Sequence, residues 1–147
     1  MEVEVHGLRE LREALLRKIP KEMQGKVLQQ ALMAGAEVIA DDAKARAPAR
    51  SGVLKRAIWS FRVRQNSNGI FEERAIRPRS GKKFQKSKRD AFYWRFVEFG
   101  TRFMAAQPFM RPAFESRKEA SLKAITQRLA VAIEKAARKA AWPTPRR

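Results

Sequence analysis

The chain has 147 residues, enough for one ordinary domain with a substantial hydrophobic core. It contains no cysteine and one histidine, His6, which excludes disulfides and thiolate metal sites and argues against zinc sites or catalysis based on histidine. Lysine and arginine number 33 against 15 acidic residues, a net charge of +18, so a polyanionic or strongly acidic partner is expected. Because 44% of the residues are hydrophobic, the chain is too apolar for a disordered basic tail.

The first third of the chain predicts two helices. Apolar residues three and four positions apart between residues 8 and 19 indicate one amphipathic helix, which Pro20 ends. A second helix is expected from about Lys21 to Ala47, where the step into Pro48 stops it. The Ala-Gly-Ala sequence around Gly35 is small enough for another helix or a sheet to approach closely. No stretch has the length and hydropathy of a signal sequence or membrane span, so a soluble protein inside the cell is expected.

The middle of the chain predicts an antiparallel hairpin. Alternating apolar residues from Ala57 to Val63 are typical of a half-buried strand, and Asn66–Gly69 is a strong turn signal. A second strand, about Ile70–Ile76, would pair back. The segment Pro78–Asp90 has no apolar periodicity and is expected to be a loop. The aromatic segment Phe92–Phe99 is expected to form another strand, with a short helix as the alternative.

A long amphipathic helix is predicted from Arg111 to Ala141, about 45 Å long. Its apolar stripe consists of Phe114, Leu122, Ile125, Leu129, Ile133 and Ala136. Residues 142–147 cannot continue it and are expected to form a flexible tail. The fold class is therefore α+β in a single domain, 1–147: two N-terminal helices, a small antiparallel β-sheet with a long basic loop (77–90), and the long C-terminal helix. Two long helices against so small a sheet leave apolar surface uncovered, which predicts self-association.

The connection between the second helix and the sheet has a distinctive sequence. Pro48 ends the helix, Ser51 and Gly52 form a tight turn, and Leu54 returns the chain to the core. Taken alone, this segment indicates only a helix-to-strand connection.

The segment before the last helix is more unusual. Gly100 follows the aromatic run, where it permits a sharp turn and is expected to adopt a conformation that other residues avoid. Pro108 and Pro112 fix an extended approach to the helix, and Pro112 falls in its first turn. Phe109 lies between them and is expected to fill a hole in the core or in a neighbouring subunit.

Glu98 lies in the same segment, among aromatic residues and beside a basic run. A carboxylate in such surroundings needs a partner that offsets the cost of its burial. Arg102 and Arg111 are the candidate partners. Taken alone, this segment again indicates an ordinary strand, turn and helix start.

In this order, however, the two segments resemble a known family. The sequence Ala-Pro-x-x-Ser-Gly-x-Leu is followed by Tyr-x-x-Phe-Val-Glu-Phe-Gly-Thr and then by Gln-Pro-Phe-x-Arg-Pro-Ala. This combination resembles the tail-completion family of long-tailed bacteriophages, the gene-product-ten-like neck proteins of lambdoid siphophages and prophages, over about residues 8–136. The residues that carry the resemblance are Pro48, Ser51, Gly52, Leu54, Tyr93, Phe96, Val97, Glu98, Phe99, Gly100, Thr101, Pro108, Phe109, Arg111, Pro112 and Ala113.

The resemblance implies a structural virion protein with no enzymatic activity and no cofactor. It implies a subunit that forms a ring, commonly six-fold, at the junction of head and tail. The partners would be further copies of the chain, adjacent neck and tail-tube proteins, and double-stranded DNA passing through the lumen, with no membrane. Assembly would take place in the host cytoplasm. A role in tail completion or as a tail terminator is left open, and the motif residues become candidate interface residues.

The basic segment between residues 74 and 95 carries nine lysines and arginines against Asp90 alone. The excursion Arg77–Arg89 within it departs from the family pattern, as does the Pro-Arg-Arg terminus, so no role transfers to either. Its candidate contacts, with DNA in a channel or with an acidic neighbouring subunit, are Arg77, Arg79, Lys82, Lys83, Lys86, Lys88 and Arg89. A solvated surface loop is the alternative. The composition predicts poor order in the isolated subunit and binding to phosphate without sequence preference.

Other classes fit less well. The adjacent acidic pairs Asp41-Asp42 and Glu72-Glu73 point in different directions on a helix or strand, and no catalytic motif is present, which disfavours an enzyme. Two interpretations remain: a structural phage subunit, and a basic nucleic-acid-binding protein of nucleoid or RNA-binding type. The aromatic residues cluster with Glu98 and prolines rather than alternating with arginines, which favours the structural interpretation.

Overall fold

The computed structural model describes residues 13, 17, 21–48, 52–64, 72–85 and 90–141. Its elements in chain order are α1 (Lys21–Arg46), α2 (Val53–Ala57), β1 (Ile58–Arg62), β2 (Arg74–Pro78), α3 (Lys82–Gln85), α4 (Trp94–Phe99) and α5 (Met110–Ala141). The architecture is α+β, with helices, a small antiparallel sheet and a long C-terminal helix, which confirms the predicted fold class.

Three predicted features lie outside the described residues. They are the turn Asn66–Gly69, the tail 142–147, and the first helix apart from Glu13 and Arg17, which are both helical.

The two long helices α1 and α5 pack against each other and form the main body of the fold. They lie close together at Gly35, where an added Cβ would lie 2.5 Å from Cγ1 of Ile125. The Ser121 hydroxyl donates a hydrogen bond of 2.9 Å to the Gly35 carbonyl. The small-residue patch around Gly35 therefore admits another helix, as the sequence predicts.

A polar network joins the same two helices nearer the end of α1. Asp42 accepts hydrogen bonds from Arg46 on its own helix and, at 3.0 Å and 3.2 Å, from Arg117 and Ser116 on α5. Hydrogen bonds from Arg46 and then from Arg117 hold the pKa of the Asp42 carboxyl below its ordinary value, against an opposing effect of desolvation. These two polar contacts add to the apolar packing that holds α5 on α1.

Strands β1 and β2 form an antiparallel hairpin with Ile58 opposite Pro78 and Trp59 opposite Arg77. Ile58 and Pro78 are buried. Since side chains alternate along a strand, Trp59 and Arg77 share the other face. The second strand includes Pro78, which the sequence assigned to the loop; because proline lacks a backbone donor, it is tolerated at this terminal position.

The aromatic segment Phe92–Phe99 is not a strand, and the prediction of a third strand is wrong. Residues 94–99 form helix α4, the alternative that the sequence left open. Trp94, Val97 and Glu98 face inward, a helical spacing that strand alternation cannot produce. The Gly100 N–H donates to the Phe96 carbonyl at 2.9 Å and so ends the helix.

Three smaller expectations also change. The connection after Gly52 contains the short helix α2, which the sequence did not predict. The basic loop contains helix α3. Phe114, placed on the buried stripe of the last helix, has 57% of its surface exposed, so the stripe that faces α1 begins further along.

The main core lies where α1, α2, β1 and the start of α5 meet. Its buried residues are Ala40, Ala43, Ala47, Leu54, Ala57, Ile58, Ala91, Phe109 and Ala113. Phe109 is fully buried and is one of the two largest such side chains. Because small alanines surround it, Phe109 supplies much of the volume of this core.

Candidate assembly interface

Glu98 connects α4 to the start of α5. Its side chain is buried, and its two carboxylate oxygens accept hydrogen bonds of 2.8, 3.0 and 3.0 Å from the backbone N–H groups of Phe109, Met110 and Arg111. N–H groups at a helix start lack partners within the helix, and a negative charge is favourable there. Of the candidate partners Arg102 and Arg111, Arg111 does contact the carboxylate, but through its backbone N–H and not through its guanidinium.

Gly100 has the positive φ that the sequence predicts, with φ 74° and ψ 178°. This backbone region is almost restricted to glycine. An added Cβ would lie 2.8 Å from the Ala106 nitrogen and 2.9 Å from the Met104 oxygen. Both the conformation and the lack of space therefore require glycine at this position.

The residues after Gly100 form a tight turn. The Thr101 N–H donates to the Met104 carbonyl at 2.8 Å, and the Met104 N–H donates back at 3.3 Å. The Thr101 hydroxyl accepts a hydrogen bond of 3.2 Å from the Phe103 N–H. The turn leaves 93% of the Phe103 surface exposed. Phe103 is not among the motif residues, although a phenylalanine beside a glycine turn is a usable signal for an exposed apolar contact.

The two sequence segments that carry the resemblance meet in one cleft of about 590 Å³, which we call the motif cleft. Its lining residues are Pro48, Leu54, Tyr93, Phe96, Val97, Thr101, Met104 and Gln107. Pro48 and Leu54 come from the first segment, and most of the others come from the second. None of the described lining residues is charged, in a chain where a third of all residues are.

Exposed apolar side chains accompany the motif cleft. Phe96 and Met104 line it and are 53% and 41% exposed. Phe92, Phe99 and Phe103 are more exposed still. A soluble monomer rarely leaves so many large apolar side chains in water within one short stretch of chain.

Several of the remaining motif residues stabilise the fold of the subunit itself. Gly52 has φ 64° and precedes α2, and Pro112 lies in the first turn of α5. Pro108 and Arg111 are exposed. For Phe109 the sequence left two locations open, and it lies in the core of its own subunit. Ser51 lies outside the described residues.

The predicted basic contacts divide into groups. Arg77 lies on β2 and Arg79 directly after it, with their guanidinium groups 4.8 Å and 4.5 Å from the ring centres of Phe61 and Trp59. Lys82 and Lys83 are exposed on α3. The other predicted contacts, Lys86, Lys88 and Arg89, lie outside the described residues.

The acidic residues do not form a convergent site in the described part of the chain. Asp41 pairs with Lys44 at 2.9 Å on the surface of α1, whereas its neighbour Asp42 faces α5. No group of three histidine or acidic side chains that could hold a metal ion occurs among the described residues. Within the same residues, no helix combines the length and the hydrophobicity needed to cross a membrane.

Residues 12–100, more than half of the chain, match the family described as "Bacteriophage HK97-gp10, putative tail-component". The protein belongs to the HK97-gp10-like family of phage tail components. The match confirms the predicted resemblance and includes most of the motif cleft, while Phe109 lies beyond it. Searches among curated proteins and among solved structures found no match. As a phage tail component, the protein has its place in the virion.

Proposed function

We propose that this HK97-gp10-like protein is a ring-forming subunit at the head–tail junction of a long-tailed phage, and that copies of it contact one another through the motif cleft. The role is structural, as a tail-completion or neck protein, and involves no catalysis. The family match favours this proposal over a nucleoid or RNA-binding protein.

The convergence of the two sequence segments on the motif cleft carries the proposal. A chain with a net charge of +18 repels its own copies over most of its surface. The described lining of the motif cleft carries no charge, so two copies can approach at these residues without bringing like charges into contact. Burial of the exposed aromatic side chains then stabilises the contact.

Phe103 is the proposed occupant of the cleft of the next copy. It is 93% exposed at the end of a hydrogen-bonded turn, so it is already held in position. A contact between Phe103 of one subunit and the motif cleft of another joins two different surfaces. Such heterologous contacts close into a ring when the rotation between subunits allows it. A six-fold ring is the proposed form.

A ring of this kind leaves two faces for other proteins. We propose that adjacent neck and tail-tube proteins occupy these faces and that double-stranded DNA passes through the lumen. Assembly takes place in the host cytoplasm before the subunit is incorporated into the virion.

Phe103→Ser tests the contact. The Phe103 side chain packs little within its own subunit, so the variant is expected to keep the melting temperature of the wild type while losing the oligomer. Val131→Ser is the matched control, since Val131 is also exposed, at 57%, but lies on α5 away from the cleft lining. Mass photometry measures the oligomer, and differential scanning calorimetry measures the stability.

A wild-type oligomer that survives in Phe103→Ser, or that is lost equally in Val131→Ser, would contradict the proposed contact. The head–tail role has its own test. Phage lacking the gene are expected to yield separate heads and tails by electron microscopy, and normally tailed, infectious particles would overturn that role.

A further inference from the structure

A second cleft, of about 550 Å³, lies at the base of the hairpin and differs sharply from the motif cleft. Its lining residues are Lys44, Lys55, Arg56, Ile58, Trp59 and Arg79. Four of these six side chains are cationic and none is acidic. Lys44 is paired with Asp41, whereas the side chains of Lys55 and Arg56 make no hydrogen bond or ion pair with other described residues. This hairpin cleft therefore concentrates positive charge that the described residues around it neutralise only at Lys44.

Arg79 is held in position in this cleft. Its backbone N–H donates to the Ala57 carbonyl, and its carbonyl accepts from Ala91, both at 2.9 Å. Its guanidinium lies 4.5 Å from the ring centre of Trp59 and 5.9 Å from that of Phe84. Its Nε is buried and has no hydrogen-bond partner among the described residues. Among the described residues, the donor capacity of this fixed guanidinium is thus not used up.

We propose that the hairpin cleft binds the phosphate backbone of duplex DNA without sequence preference. Guanidinium and ammonium groups neutralise phosphate charge, and a rigidly held arginine loses little freedom when it binds. The described lining has no amide or carboxylate side chain of the kind that reads adenine or cytosine edges. The site is separate from the motif cleft, so this proposal does not depend on how subunits contact one another.

The positive charge continues beyond the cleft, which favours a polymer of regularly spaced charges over a short acidic protein segment. Arg77 lies on the outer face of the same hairpin, and Lys82 and Lys83 follow on α3. Duplex DNA carries about one charge per 1.7 Å of its length, so it can contact such a series of cations together.

The aromatic residues favour a duplex over a single strand. Trp59 and Phe61 stack on each other with ring centres 5.3 Å apart, and the guanidinium groups of Arg79 and Arg77 lie over them. Proteins that bind single strands use free aromatic faces to stack unpaired bases. Here the rings hold arginines instead, so the surface presents charge rather than stacking platforms.

The test compares two double variants that remove the same net charge. Lys55→Gln with Arg56→Gln changes the hairpin cleft, and Lys123→Gln with Arg128→Gln changes the exposed face of α5. Arg79 is left intact because it packs on Trp59, so its removal could disturb the fold. Binding of a short fluorescent DNA duplex is measured by anisotropy at several salt concentrations. Melting temperature and oligomeric mass are measured for both variants.

We expect the cleft variant to bind the duplex about tenfold more weakly than the α5 variant, with the slope of log affinity against log salt reduced by about 1.8. Both variants should keep the stability and oligomeric mass of the wild type. Equal losses in the two variants would overturn the proposal, because the effect would then follow net charge alone. Tighter binding of a single strand of the same length would overturn the preference for a duplex. Tighter binding of polyglutamate at the same salt would identify an acidic protein segment as the ligand instead.

Discussion

Phe103 and Phe109 belong to the same short segment and have opposite environments. Phe109 is fully buried among alanines of α1, α2 and α5, whereas Phe103 has 93% of its surface in solvent. The chain between them is extended, and the Gln107 N–H donates to the Val97 carbonyl at 2.8 Å. One segment thus supplies both a core side chain and an exposed apolar side chain.

The comparison of Phe109 with Phe103 distinguishes residues that stabilise the subunit from residues that are exposed for contact with another molecule. Around Phe109, the carboxylate of Glu98 binds three backbone N–H groups and fixes the start of α5. Around Phe103, the hydrogen bonds lie within the turn itself, and the guanidinium of the adjacent Arg102 lies 5.9 Å from the centre of a ring that stays exposed. Changes near Phe109 should therefore lower stability, and changes near Phe103 should alter assembly.

Phe109→Ala should have the largest effect on stability. Loss of a fully buried phenyl ring leaves a cavity and is expected to lower the free energy of unfolding by about 3–5 kcal/mol. Phe103→Ala should change it by no more than about 0.5 kcal/mol. Urea denaturation followed by circular dichroism measures both values. Similar denaturation midpoints for the two variants would show that Phe109 does not contribute more to stability than Phe103.

Glu98→Gln should have the second-largest effect on stability. The amide keeps one acceptor oxygen but places an NH₂ group against backbone donors, so the free energy of unfolding is expected to fall by about 2–3 kcal/mol. Glu115→Gln is the control, because Glu115 is exposed on α5 and its change should be close to neutral. Equal denaturation midpoints for the two variants would mean that the buried carboxylate contributes nothing to the start of α5.

Gly100→Ala should have a smaller effect on stability but should also alter assembly. The strained conformation and the contacts with Ala106 and Met104 are expected to lower the free energy of unfolding by about 1–3 kcal/mol. The same change moves the turn that carries Phe103, so the oligomer should weaken as well. Gly81→Ala is the control: its φ is 104°, but no atom lies within 4 Å of the added Cβ. A larger loss in Gly81→Ala would show that close contact is not the cause.

The long helices could be predicted from the sequence because their signals are local. Pro20 and Pro48 limit α1, and a helical spacing of apolar residues continues through α5. The positive φ of Gly100 was also predictable, since a glycine after an aromatic run indicates a turn.

The candidate interface depends on contacts between distant residues, which spacing does not show. The aromatic run before Gly100 is rich in residues that favour strands, yet tertiary packing makes it helical. Glu98 finds its partners more than ten residues later, at the start of α5. The motif cleft forms only when Leu54 and Val97 are brought together by the fold. Local patterns therefore identified the residues but not their arrangement.

The contact at Gly35 also fixes how α1 and α5 are aligned along their axes. Ser121 and Ile125 face Gly35, and there is no room for a side chain at that point. A slip of α5 by one helical turn would move it by about 5.4 Å and bring Arg117 or Lys118 over the glycine, where a long charged chain does not fit. Continuous helix pairs can slide past one another with little change in apolar burial. In this protein the absence of a side chain at Gly35 disfavours that slip.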